Sequence, residues 1–176
     1  MHDITEAKIY VGTYDKYNNG SIQGDWLDLI DYDSFESFLE KCKEIHDDEL
    51  EPEYMFQDYE NIPKNFINES TIDKRIFELI EHASGLSGDE ADAFNVFLDS
   101  DLFNKSDDAH DIINKFDDQY IGYFESEEEF GHYIFKNMGF KIEEFLERYI
   151  DYEKLGRDEL KGGSFYDIDN HYFSCT

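Results

Sequence analysis

Carboxylates are the side chains with which this chain could do chemistry. The stretch Glu125-Ser126-Glu127-Glu128-Glu129-Phe130 places four of them within five residues. Carboxylates can hydrolyse bonds in pairs, ligate hard cations, or act through negative charge alone. Pairing carries no weight here, because among 44 Asp and Glu some pair always lies at a suitable separation. An EF-hand loop fails wherever it begins: DSDLFNKSDDAH starts at Asp99 and Asp101, then sets Phe103 where an oxygen is required, and DIDNHYF loses its fifth ligand to His171. The histidines His2, His46, His82, His110, His132 and His171 form no HExxH or similar spacing. There is no GxSxG, P-loop or GxGxxG. Cys42 and Cys175 stand far apart, which indicates neither a disulfide framework nor a thiolate metal site. No catalytic residue, cofactor or metal is expected, which leaves charge itself.

The elements that must carry this charge can be traced along the chain. KIYVGTYDKYNNGSIQGDWLDLI predicts two strands joined at Asn18-Asn19-Gly20, because Asn-Gly tolerates the positive φ of a tight hairpin. Asp33, with Glu36 three residues on, predicts a helix start; Phe35, Phe38, Leu39, Cys42 and Ile45 then recur at helical spacing. PEYMFQDYE is extended. Further helices are expected to begin near Ser70, Ser87, Ser106 and Ser126, with Ile72, Ile76 and Ile80 four apart in the first of them. At Ser126 the expected capping box has Ser126 accepting from the Glu129 N–H while the Glu129 side chain reaches back. The last third begins around QYIGYFES, runs through the Ser126 helix and a helix holding Phe145, Leu146 and Tyr149, and ends in a terminal hairpin in GGSFYDIDNHYFSC. The fold class is α+β: three small domains in an elongated row, with a sheet and one helix in 1–61, a helical cluster in 62–118, and an α+β domain in 119–176.

Sixteen Phe, 13 Tyr and one Trp supply a core, so the 176-residue chain is expected to fold despite a formal charge of −29. No basic segment precedes a long apolar run, and nowhere do eighteen apolar residues follow one another. A cytoplasmic protein without a membrane contact is expected. Caps and helix dipoles account for about a dozen acids. Fifteen Lys and Arg are too few to neutralise the remainder. Duplex DNA carries one charge per ~1.7 Å, so 44 carboxylates equal the phosphates of about 75 Å of duplex. A surface charged in this way suits a DNA-binding groove. An acidic adaptor for a basic nucleic-acid-binding protein is the alternative.

Three blocks resemble the ArdA antirestriction proteins: IYVGTYDKYNNGSIQGDWLDL, FQDYE, and YIDYEKLGRDEL from Tyr149 to Leu160, the last followed by a Gly-aromatic hairpin. The LDLI after Trp26 departs from the pattern, which places a proline soon after that strand. The resemblance implies a curved dimer whose acids imitate the phosphates of bent B-form DNA. It implies type I restriction-modification enzymes as partners, inhibited by occupation of their DNA-binding groove, and no direct binding of nucleic acid. The nearest counterpart of the family's acidic motif is Tyr120 to Phe135.

The phosphate-mimicking surface is expected to include Asp28, Asp31, Asp47, Asp48, Glu49, Asp58 and Glu60 in the first third. Asp89, Glu90, Asp107, Asp108, Asp117 and Asp118 follow in the second. Glu125, Glu127, Glu128, Glu143, Glu144, Asp151 and Asp158 complete it, with Glu125, Glu127 and Glu128 facing outward beside the capping pair. A homodimer contact is expected in the last third, where Tyr120, Tyr123, Phe124, Phe130, Tyr133, Phe135, Phe140, Phe145, Tyr149 and Tyr152 crowd into 33 residues.

Overall fold

The computed structural model of the chain describes residues 2–139 and 141–175; Phe140 lies outside the described residues. The class is α+β, with two small antiparallel sheets of three strands each. Packing divides the chain into two compact units, Met1–Asn114 and Lys115–Thr176.

In the first unit β1 (Lys8–Thr13) leads into a single helical turn, α1 (Tyr14–Asn18), and then into β2 (Asp25–Asp28). After α2 (Phe35–Ile45), β3 (Tyr54–Glu60) completes a sheet of order β2-β1-β3. Helices α3 (Arg75–Ser84), α4 (Asp89–Leu98) and α5 (Ala109–Gln119) follow, and the border between the units falls within α5. The alternation in β1 is what builds the core: Ile9 and Val11 point inward, opposite Leu27 of β2 and Phe56 of β3. Phe38 of α2 lies between Phe56, 6.2 Å away, and Phe77 of α3, 5.7 Å away. Asn95 of α4, itself buried, accepts from the Ile4 N–H at 2.9 Å. Sheet and helical cluster therefore share one core, although the sequence places a border at 61/62 between them. Each fully buried Phe contributes about 1.5–3 kcal/mol through apolar burial alone.

The second unit holds β4 (Tyr120–Tyr123), α6 (Glu127–Asn137), a single turn α7 (Glu144–Glu147), α8 (Tyr152–Lys161), β5 (Phe165–Ile168) and β6 (His171–Ser174). Its sheet order is β4-β6-β5. Phe130, Ile134 and Tyr172 form the core centre, with Phe124, Leu155 and Phe165 packed around it. Burial, reinforced by nearby Asp167, pushes the Tyr172 phenol up to about 12. The expected terminal hairpin is present. Asp169 and Asn170 form its two-residue loop at φ 53° and 65°, the left-handed pair that matches strand twist.

Local details differ where tertiary partners override a turn signal. Asn18-Asn19-Gly20 ends α1 instead of making a tight hairpin, because the Thr13 side chain accepts from the Lys16 N–H and starts a helical turn. The cap of α2 is Ser34, paired with Ser37 in a capping box, not Asp33 with Glu36. No helix opens at Ser70: the Asn68 side chain accepts from the N–H groups of Ser70 and Thr71, Ile67 bridges Ile72, and α3 begins at Arg75. Gly88 at φ 58° stands at the start of α4 in place of Ser87, and Asp108, accepting from the Asp111 N–H at 2.8 Å, caps α5 in place of Ser106. The strand after Trp26 turns without proline, through a 3-10 turn at Leu29–Asp31. The helix expected to hold Phe145, Leu146 and Tyr149 is one turn only, Glu144–Glu147, and all three are exposed.

Candidate functional site

Register places three of the expected acids on one surface. On the outer face of the first sheet, Trp26, Tyr10 and Asp58 lie in one cross-strand row, and Asp28, Lys8 and Glu60 in the next. Lys8 Nζ pairs with Glu60 at 2.9 Å and stands 5.0 Å from the centre of the Trp26 ring. The hydrogen bond that Lys8 donates to Glu60, helped by the charges of Asp28 and Asp58, raises the Lys8 pKa above its ordinary value. Trp26 meets Tyr10 edge-on at 5.6 Å. Lys8, Tyr10 and Trp26 were not among the expected site residues. The alternation of Lys8 and Tyr10 with Ile9 and Val11, and of Trp26 and Asp28 with Leu27, is the signal that would have placed them there.

A second group lies where α2 ends. Asp47 and Asp48 are exposed, but Glu49 is turned inward with its side chain 15% exposed. Lys16, buried, donates to His46 Nδ1 at 2.9 Å and to Asp48 at 2.7 Å, and lies 3.5 Å from Glu49. Burial disfavours the Lys16 ammonium, yet the Asp48 and Glu49 contacts outweigh it and its pKa is raised. The hydrogen bond from Lys16 lowers that of Asp48. His46, fully buried, donates from Nε2 to the Val11 carbonyl at 3.2 Å. Thr13 Oγ1 donates to Glu49 at 2.7 Å. Among the described residues, His46, Asp48 and Glu49 are the one group whose ligand atoms lie close enough together for a metal ion. The Lys16 ammonium already supplies positive charge among them.

The third group is the start of α6. Ser126 accepts from the Glu129 N–H at 3.3 Å, and the Glu129 side chain accepts from the Glu125 N–H at 2.9 Å, one residue further back than a capping box requires. Glu125 and Glu128 are exposed. Glu127, expected to face outward unpaired, instead accepts from Arg157 of α8 at 2.9 Å. Arg157 also pairs with Glu153. Beneath this pair the two helices cross at Gly131 and Gly156: a Cβ on Gly131 would stand 1.9 Å from the Tyr152 carbonyl oxygen, and one on Gly156 2.0 Å from that of Glu127. His132 stacks on Tyr152 at 3.6 Å between ring centres, and Asp151 caps α8 by accepting from the Lys154 N–H. The block YIDYEKLGRDEL is thus the helix that holds α6.

The remaining expected acids are scattered. Asp31 lines an open cleft of about 350 Å³ with Ile30, Tyr32 and Phe77. Asp89 and Glu90 are exposed in the first turn of α4, and Asp117 and Asp118 near the end of α5. Asp107 is half-buried; its carboxylate accepts from the Asn104 N–H and its carbonyl from Arg75. Glu143, Glu144 and Asp158 are exposed. Seventeen of the twenty are exposed, and Glu49, Asp107 and Glu127 are partly covered. Among the described residues they are spread over many elements, and the chemistry they offer together is distributed negative charge. Among the described residues no helix is long and apolar enough to cross a membrane.

Comparison with curated proteins finds no match. The family model described as antirestriction protein (ArdA) matches residues 9–174 of the 176. Because that match covers nearly the whole chain, the chain belongs to the ArdA antirestriction family.

Proposed function

We propose that this chain blocks type I restriction-modification enzymes by standing in for DNA in their DNA-binding groove, through occupancy and without catalysis. The observation that carries this reading is the excess of unneutralised carboxylates. With 44 acids against 15 Lys and Arg, one-to-one pairing still leaves 29, and most of the expected mimicking residues are exposed. A basic groove built for phosphates responds to carboxylates partly as it does to phosphates. Carboxylates lack the condensed counterions of a duplex, so target affinity should fall with salt, but less steeply than DNA of equal length. Binding to a purified type I enzyme across a salt series tests this. An affinity independent of salt would overturn the electrostatic account.

We also infer that the protein acts as a homodimer whose contact lies in the last third. Phe145, Leu146 and Tyr149, at 53%, 45% and 74% exposure, form with Met138 and Ile142 an apolar stretch that the second unit does not bury. Two bodies of charge −29 repel, so salt should tighten the dimer. Sedimentation at low and high salt is the test, and a monomer at every salt concentration would overturn it.

A further inference from the structure

The outer face of the first sheet differs from the other acidic groups because it combines carboxylates with open aromatic surface. Three carboxylates, Asp28, Asp58 and Glu60, face one ammonium, Lys8, around Tyr10 and the 37%-exposed Trp26. The face already holds a cation. Lys8 Nζ lies 5.0 Å from the Trp26 ring centre while bonded to Glu60 at 2.9 Å, so ring and carboxylate act on the same charge. Lys8 side chain and Glu60 are both accessible, at 34% and 54%, and neither is locked in place by burial.

We propose that this face receives an arginine side chain of the protein's target, whose guanidinium stacks on Trp26 and takes over the Glu60 carboxylate from Lys8. The inference rests on the DNA-mimic reading, in which the target is a DNA-binding protein whose groove presents Arg and Lys to phosphates. Arginine fits better than lysine here. Its planar, weakly hydrated guanidinium lies flat on an aromatic ring while donating bonds at its edge. A phosphate backbone offers an arginine charge but no ring, so this contact would bind in a way DNA does not. Lys8 then acts as a stand-in that keeps the site satisfied until the target arrives.

The test measures affinity of the full-length protein for a purified type I enzyme, with three substitutions. Trp26→Leu removes the ring without changing charge, and should weaken binding on the order of tenfold while leaving the salt slope unchanged. Lys8→Met frees Glu60 and Trp26 together, and should tighten binding by about threefold more than Lys41→Met does. Lys41 is the control, because it also pairs with a glutamate, Glu44 at 2.9 Å, but has no aromatic partner. Should Trp26→Leu fail to fold, the comparison of the two lysine variants decides alone. Normal binding by Trp26→Leu, or equal effects of Lys8→Met and Lys41→Met, would overturn the inference and leave the mimic reading standing. Failure of the unsubstituted protein to bind the enzyme would overturn both.

Discussion

The corner around Lys16 and the crossing of α6 with α8 both fix acids in place, one with a buried ammonium and the other with bare backbone. At the corner, Lys16 satisfies His46 Nδ1 and holds Asp48 and Glu49, so an acidic run depends on one buried ammonium. At the crossing, Gly131 and Gly156 let two backbones touch, and the Arg157–Glu127 pair sits on top at 41% and 37% exposure. Removing a partner should matter greatly at the first and little at the second, where shape carries the contact. Acids can thus be held in place either by a buried charge that partly neutralises them or by helix packing beneath a half-exposed ion pair.

The most disruptive change should be Gly156→Val. Its side chain would meet the Glu127 carbonyl, with no flexible atom to give way, at a cost of about 3 kcal/mol or more. Urea unfolding followed by circular dichroism should show a large loss of stability; a wild-type transition would mean that the crossing does not hold α6.

Lys16→Met ranks next. It leaves buried His46 Nδ1 without its donor and Glu49 without its cation, at about 1–3 kcal/mol. Cys42 reports on this unit, because burial pushes its thiol up to about 12 and shields it from alkylation, whereas Cys175 is exposed. Faster native-state alkylation of Cys42 in Lys16→Met is the expected result, and an unchanged rate would remove the corner from the account.

The same corner sets a pH window. Lys16 is raised above its ordinary value, so its contribution is complete below about pH 10.4 and is lost as pH rises through the raised value. The hydrogen bond from Lys16 lowers Asp48, whose contribution is complete above about pH 3.9 and vanishes as pH falls through the depressed value. The stability gap between wild type and Lys16→Met should therefore narrow at both extremes and hold steady between them. A gap that widened on acidification would contradict the assignment.

Arg157→Gln should cost little stability, since its pair is half-exposed and the glycine contact persists. Smallest of all is the effect of one surface acid. Glu128→Gln should leave target inhibition nearly intact, while blocks of six to ten acid-to-amide changes in one third abolish it progressively. A single such change that destroyed inhibition in a folded protein would point to a localised site.

Much of this architecture is legible in the sequence where information is local. The two strands in KIYVGTYDKYNNGSIQGDWLDLI, the extended PEYMFQDYE and the alternation of the tail mark β1, β2, β3 and the terminal hairpin. Ser126 shows its cap directly. What escapes is set by residues distant in the chain. Lys16 sits in a helical turn because Thr13 caps it and His46, thirty residues on, accepts from its ammonium, so Asn-Gly loses its hairpin. Nothing local says that Gly131 and Gly156 meet, or that Arg157 reaches Glu127. The acids were legible as a population; which of them are clamped, and the aromatic face beside Asp28, Asp58 and Glu60, required register.

Occupation of a DNA-binding groove can be tested directly by titration. A purified type I enzyme bound to labelled duplex DNA is titrated with this protein at fixed salt. Complete displacement of the DNA is the expected result, with a midpoint that moves in proportion to added competitor DNA. Binding of the protein with DNA affinity unchanged would contradict mimicry and leave an acidic adaptor as the surviving reading.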